Sequence, residues 1–339
     1  MQKFALIFIA ACAIPTLTAA QNGTEAYASN QGTDASQTMP STPLPTPSRE
    51  AASCKNPLAT PLSRFWELEP ASDCGTFGLR GYKPISLSVI GADNVNTTPT
   101  SPAAGHTGGF QPYTTAETRI QLSVRTKIAQ GLLTGGDPER LDSLWFAYSQ
   151  QSYWQLFNPD LSRPFRATDH EPEVTYIFPL ATALPSGWRL RFAGLSLNHQ
   201  SNGQALPLSR SWNRIIGRAG MELGNTFAVN ASLWTRIPES ADGDDNPDIE
   251  DMVGRAELAA AWNVNDRNSL TAVWRHSLKA EGNGSIRLGW LRRIGSSRGN
   301  DNRSSLRFHT ELFSGYGDTL MDYNHRRTVL SVGLTLLDW

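Results

Sequence analysis

After its first twenty residues the chain has no apolar run approaching the roughly 18 residues that a membrane-spanning helix needs. A helical membrane protein is therefore excluded. A charge excess of one sign is also missing: 30 Lys and Arg stand against 31 Asp and Glu. That balance gives no bulk electrostatic case for a nucleic-acid partner. Cysteine is scarce, with three in 339 residues. The mean hydropathy of −0.36 is that of a soluble protein. A β-barrel in a membrane has the same average, because only alternate residues meet lipid.

The start of the chain sets the compartment. Lys3 is a short positive region, Phe4 to Ile14 is apolar, and Thr18-Ala19-Ala20 is a small-residue cleavage pattern. Residues 1–20 read as a secretory signal peptide. A lipoprotein signal at Ile9-Ala10-Ala11-Cys12 is the rival, but the apolar run continues past Cys12. Cleavage after Ala20 leaves Cys54 and Cys74, which in an oxidising compartment can pair or remain two separate thiols. Residues 21–52 are rich in Ser, Thr, Pro, Ala and Asn, bury no core, and read as a disordered linker. Residues 53–80 read as a periplasmic lead-in, and 81–339 as one domain.

Within that domain hydrophobicity alternates with period two. Ile120, Leu122, Val124, Thr126 and Ile128 are apolar or neutral, whereas Gln121, Ser123, Arg125 and Lys127 are polar. Phe227, Val229, Ala231 and Leu233 oppose Asn230, Ser232 and Arg236; Leu306, Phe308, Thr310 and Leu312 oppose Arg307, His309 and Glu311. A strand places such neighbours on opposite faces. A soluble sandwich would alternate too, but three features favour a membrane barrel. The strands are long, the polar face carries charges that a lumen can hold, and Trp and Tyr recur near strand ends. The expected fold is all-β: a closed, twelve-stranded antiparallel transmembrane β-barrel of the bacterial outer membrane. Its strands begin near Ile85, Arg119, Leu144, Glu173, Arg189, Arg210, Ala228, Met252, Ser269, Ser285, Ser305 and Thr328. Arg125, Lys127, Arg214, Arg218, Glu257, Arg307 and Glu311 are expected to pair across the lumen and fill it.

One segment breaks the rule that the lipid face is apolar. Ala193, Leu195, Leu197, His199 and Ser201 share the outward row, and Ser196, Asn198, Gln200 and Asn202 the lumen row. The next strand returns with Ser211, Asn213, Ile215 and Gly217 outward and Arg210, Arg214 and Arg218 inward. A hairpin over 203–209 can bring Asn213 beside His199. Polar groups at a lipid surface are costly unless paired or functional. A Ser, a His and an Asn together fit a hydrolytic triad, in which His takes the serine proton and Asn orients the imidazole without adding a charge. A neutral orienter stabilises the imidazolium less, so a metal ion is a natural aid to the oxyanion. Each of these residues alone would read as a solvated rim residue.

The run His199-Gln200-Ser201-Asn202-Gly203, followed by Ser209-Arg210-Ser211-Trp212-Asn213-Arg214, resembles the outer-membrane phospholipase A family. The resemblance extends through Tyr148 to Leu156, Ser162-Arg163-Pro164-Phe165-Arg166, Glu171-Pro172, Asp245 to Ile249, Ser314-Gly315-Tyr316-Gly317 and Asp322-Tyr323-Asn324. It implies a calcium-dependent phospholipase (A1/A2, with lysophospholipase activity), active as a homodimer on membrane phospholipid. It further implies Ser201 as nucleophile, His199 as general base and acid, Asn213 as orienter, and the Gly203 N–H in the oxyanion hole. Ca2+ would be held by the Ser209 hydroxyl, the Gln204 carbonyl and the carbonyl of Ser162 from the other subunit. Asp245 matches a carboxylate of a second calcium position, whose other aspartate is replaced here by Leu206. Gln150, on the outward row with Phe146, Tyr148 and Trp154, would pair with its own copy across the dimer. A passive pore would place its unusual polar groups in the lumen, and a catalytically dead structural barrel would not need an intact Ser201, His199 and Asn213.

Overall fold

The computed structural model describes residues 59–135, 137, 140–295 and 306–336. The expected signal peptide, the linker, Cys54 and the terminal Trp339 lie outside the described residues. Among the described residues thirteen strands form a single antiparallel sheet: β1 (Leu79–Gly81), β2 (Ile85–Ala92), β3 (Ala116–Gln130), β4 (Ser143–Trp154), β5 (Ala167–Ala183), β6 (Arg189–Ser201) and β7 (Ser211–Leu223), then β8 (Phe227–Arg236), β9 (Ala256–Asn263), β10 (Asn268–His276), β11 (Gly284–Arg293), β12 (Leu306–Gly315) and β13 (Arg327–Leu336). Strands β2 to β13 pair in sequence order, and β13 returns to β2 with Val329 opposite Ala92 and Leu336 opposite Ile85. The result is the closed twelve-stranded barrel. Closure leaves no sheet edge with unpaired backbone groups in hydrocarbon.

The three residues of β1 extend the first barrel strand. Both β1 and β2 pair with β3, and the ladder breaks between them at Tyr82-Lys83-Pro84. Pro84 has no N–H to give, and the Lys83 N–H turns to the Ser123 hydroxyl at 3.1 Å. The barrel thus begins at Leu79, slightly before the expected residue 81. Expected strand starts otherwise fall close to the observed ones, with two corrections. Strand β5 begins at Ala167, before Glu173. Met252 closes a one-turn helix, α2 (Ile249–Met252), and β9 starts only at Ala256. There Gly254, at φ +119°, turns the chain before the strand.

Alternation holds along the wall. Leu122, Leu195, Leu197, Leu233 and Leu312 are exposed on the outside, whereas Ser123, Arg125, Lys127, Ser196 and Asn198 are buried within. Burying apolar side chains inside would have no advantage over facing lipid tails, so the interior can be polar if its charges are paired. Ion pairs of this kind line the interior: Arg218 meets Glu173 at 2.6 Å, Arg119 meets Glu311 at 2.7 Å, Arg275 meets Glu257 at 2.8 Å, and Arg214 meets Glu171 at 3.2 Å. Arg125 instead stacks on the rings of Phe65 and Trp66. Arg307 departs from the expectation. It lies opposite Arg293 in the ladder, and its Nε finds no hydrogen-bond partner among the described residues.

Residues expected as a periplasmic lead-in pack against the barrel's inner wall. Helix α1 (Pro61–Trp66) sets Leu62, Trp66 and Leu68 against inward-facing Trp145, Ile177 and Phe192. The Leu62 N–H donates to Glu222 at 3.0 Å, and Glu67 receives Lys127 at 2.7 Å. Cys74 is disulfide-bonded. At the opposite end an upper cluster joins Trp212, Ile216 and Trp234 of the wall to Ile249, Val253, Leu320 and Tyr323 of the loops. Against this cluster, a cavity bordered by Glu171, Gln200, Arg214 and Arg275 together with Leu320 and Tyr323 measures about 30 Å³. Such a volume suits one or two waters and not a solute channel.

Candidate active site

The hairpin β6–β7 carries the candidate triad. Its register sets His199 opposite Asn213 and Ser201 opposite Ser211. Period two puts Leu195, Leu197, His199 and Ser201 on one outward row, with Ile215 and Asn213 beside them on β7. His199 Nδ1 lies 2.8 Å from Asn213 Oδ1. Ser201 follows His199 by two residues on the same face, at the loop end of the strand. Next to the pair is an open apolar groove of about 240 Å³, bordered by Phe146, Val174, Leu197 and Ile237 with His199 and Asn213 at its polar end.

The loop after Ser201 is held from inside the barrel. Asn202 is buried; its Oδ1 accepts from Arg210 N–H at 3.0 Å and Gln204 N–H at 3.3 Å, and its Nδ2 donates to Leu208 O at 2.6 Å. These bonds draw 203–209 into a tight turn. Gly203 sits at φ +62°, and a side chain there would be strained and would approach the His170 ring at 3.6 Å.

The candidate metal ligands divide between two places. Ser209 donates to Asp245 Oδ2 at 2.6 Å, and His106 Nε2 lies 2.9 Å from Asp245 Oδ1. Burial alone would raise the Asp245 carboxyl, but the bonds from Ser209 and His106 outweigh it and hold the group below its ordinary value. A hydroxyl and a carboxylate side by side, with loop carbonyls such as that of Gln204 near the same turn, are hard oxygens that suit calcium. Leu206 is exposed and adds no oxygen from its side chain. Ser162 is elsewhere, in the β4–β5 loop, where its carbonyl accepts from Trp154 Nε1 at 2.6 Å. Trp154 shares the outward row of β4 with Gln150, the row expected to face a second subunit. Gln150 itself is not left unpaired: its Oε1 accepts from Tyr148 OH and its Nε2 donates to Ser152 Oγ, both at 3.2 Å.

Several contacts escape sequence reasoning. His170, opposite Ser201 across β5, takes a 2.7 Å bond at Nδ1 with Tyr148 OH. His106 reaches the site from the β2–β3 loop, 139 residues from Asp245. Glu239 accepts from Asn213 Nδ2 at 2.9 Å. Only the fold brings these residues together; His170 lies within β5, and the one signal in the sequence for His106 and Glu239 is that each is a polar residue in a turn-rich stretch.

The sequence model of the family described as Phospholipase A1 matches residues 62–336. The chain belongs to the phospholipase A1 family. It is 38% identical over 286 residues to a putative phospholipase A1 of Neisseria meningitidis, covering 83% of this chain and 71% of that protein. With phospholipase A1 of Escherichia coli it is 34% identical over 222 residues, 66% of this chain and 70% of that one. Among solved structures, the outer membrane phospholipase A from E. coli superposes with a TM-score of 0.65 at 30% identity, over 76% of this chain and 94% of that one. A Salmonella typhi outer membrane phospholipase, a dimer with bound calcium, gives 0.65 at 29% identity, over 77% and 93%. The enzyme is therefore a phospholipid-hydrolysing esterase built as an outer-membrane barrel.

Proposed function

We propose that the enzyme hydrolyses acyl esters of glycerophospholipids, and of the lysophospholipids they yield, through Ser201, His199 and Asn213 on the lipid-facing wall. The observation that carries this reading is the 2.8 Å contact between His199 and Asn213 at the end of an outward apolar groove. A substrate that lies in the outer leaflet reaches such a site without leaving the membrane. Its acyl chain runs along Leu197, Val174 and Phe146, and its ester rests at the depth of His199.

In this mechanism Asn213 accepts the Nδ1–H of His199, which leaves Nε2 free to take the Ser201 proton. The serine oxygen attacks the ester carbonyl, and the Gly203 N–H donates to the oxygen that becomes negative. His199 returns the proton to the departing glycerol oxygen. Water, deprotonated by His199 in turn, attacks the acyl carbonyl; the bond to the Ser201 oxygen breaks, His199 returns the proton to that oxygen, and the fatty acid leaves. Calcium, held by the Ser209 hydroxyl, the Gln204 carbonyl and the Ser162 carbonyl of a second subunit, would supply positive charge near that oxygen, with Asp245 beside it. A site shared across a homodimer couples metal binding to association.

The test is hydrolysis of mixed-micelle phospholipid by the purified enzyme, with calcium and with chelator, beside Ser201→Ala. Calcium-dependent fatty-acid release that Ser201→Ala abolishes is expected. Release that survives Ser201→Ala would refute the assignment of the nucleophile.

A further inference from the structure

The Asn213 amide is held on both of its ends. Its Oδ1 faces His199 Nδ1 at 2.8 Å, and its Nδ2 faces Glu239 Oε1 at 2.9 Å. Its backbone carbonyl also accepts from the Ile237 N–H at 2.8 Å. Glu239 follows β8 in the loop that leads to Asp245, and its other oxygen meets Arg236 Nη2 at 3.0 Å. Arg236 is in turn fixed by Asp244 at 2.5 Å and by the carbonyl of Asn246 at 3.1 Å. The Asn246 side chain accepts the Ser211 N–H at 2.9 Å, which ties this network back to the catalytic hairpin.

A carboxylate paired with an arginine can only accept hydrogen bonds. An asparagine amide can present either its oxygen or its NH2 group, and alone it has little preference. Against Glu239 it must present NH2. That choice turns Oδ1 toward the imidazole. An oxygen at this position makes Nδ1 the protonated ring nitrogen and leaves Nε2 unprotonated, the form a general base requires. A flipped amide would hydrogen-bond the wrong nitrogen state and silence the base.

We infer that Glu239 is a positioning residue for the reaction, one that fixes the amide orientation of Asn213 and through it the tautomer of His199. The inference rests on the triad reading above. It adds a residue outside the triad that touches neither substrate nor serine. Glu239 also sets its negative charge behind the neutral orienter, one residue further from the imidazole than the carboxylate of a charged triad stands.

The experiment compares Glu239→Leu, Glu239→Gln and the double variant Glu239→Leu/Asn213→Ala at saturating calcium, with activity scaled to the folded fraction from heat-modifiable gel mobility. Leucine cannot accept, so kcat should fall roughly ten- to hundredfold, the range of a charge-assisted hydrogen bond, with KM changed less than about twofold. Glutamine keeps an accepting oxygen and should recover most of the loss. With Asn213→Ala already in place, Glu239→Leu should cost nothing further, because the two act in series. Wild-type kcat in Glu239→Leu, equal losses in the leucine and glutamine variants, or additive losses in the double variant would each overturn the inference. Ser201→Ala, run alongside, separates the cases: if it stays active the triad reading fails, whereas an inactive Ser201→Ala with an active Glu239→Leu sinks only the role of Glu239.

Discussion

Trp66 on the leading helix meets Trp145 of β4 edge-on inside the barrel, with ring centroids 5.9 Å apart and planes at 71°. The same indole also meets Phe192 at 5.7 Å, and it is almost fully buried. A segment before the barrel thus supplies part of its packing. Trp66→Ala should lower stability by about 3–5 kcal/mol, the usual cost of truncating a buried aromatic. Urea unfolding in detergent or lipid, followed by tryptophan fluorescence, measures it. An unchanged midpoint would mean that the helix is not docked in the folded enzyme.

At the other end, buried Asp318 lies between β12 and β13 and receives Arg327 at 2.6 Å and Arg287 at 3.2 Å. Burial alone would raise its carboxyl, but Arg327, Arg287 and Arg119 together hold it well below the ordinary 3.8. A group depressed in the folded state stabilises fully above its unfolded value. Its contribution declines as pH falls below 3.8 and is gone once pH passes the lower folded value. Asp318→Asn should cost roughly 3–5 kcal/mol at neutral pH, because it leaves buried arginines uncompensated. It should also flatten the loss of thermal stability below pH 3.8. Calorimetry across pH, on both proteins, gives the slopes; parallel slopes would remove Asp318 from the acid response.

Period-two alternation made the wall legible, because lipid outside and paired charge inside impose opposite demands on neighbours such as Leu122 and Ser123. The hairpin of His199 and Asn213 was legible for the same reason: polar residues on an outward row stand out. What the sequence hid was everything that depends on loops meeting. The lead-in shows neither a long helical pattern nor a strand pattern, so nothing marks Trp66 as a lumen residue. Met252 looked like a strand start because its apolar neighbours fit either period. Glu239 and His106 lie far along the chain from their partners, and no local pattern links them to the site.

The Ser209 hydroxyl donates a hydrogen bond to Asp245, so the two oxygens sit together at the turn where we propose that calcium binds. Ser209→Ala removes one of the proposed calcium ligands without altering the backbone pairing of the hairpin. It should raise the calcium concentration for half-maximal activity by roughly ten- to hundredfold, while activity at saturating calcium is largely restored. Calcium titration of the micelle assay reads this directly. An unchanged titration would place the metal away from Ser209.

Gln150 bears on the proposed dimer in a less direct way. The cost of an unpaired amide in lipid is already met within one subunit, by Tyr148 and Ser152 along the same strand. Both bonds are 3.2 Å long, so exchange for a closer bond to the Gln150 of a second subunit loses little. A two-fold axis at this row would bring each amide to its copy. Interhelical side-chain bonds in membranes are worth about 0.6–1.7 kcal/mol, and a similar gain here makes Gln150→Leu weaken association roughly three- to twentyfold. Chemical cross-linking at graded enzyme-to-detergent ratios measures that shift, and fatty-acid release at the same ratios should fall in step. Dimer and activity curves that match the unaltered enzyme would place the interface on another face of the barrel.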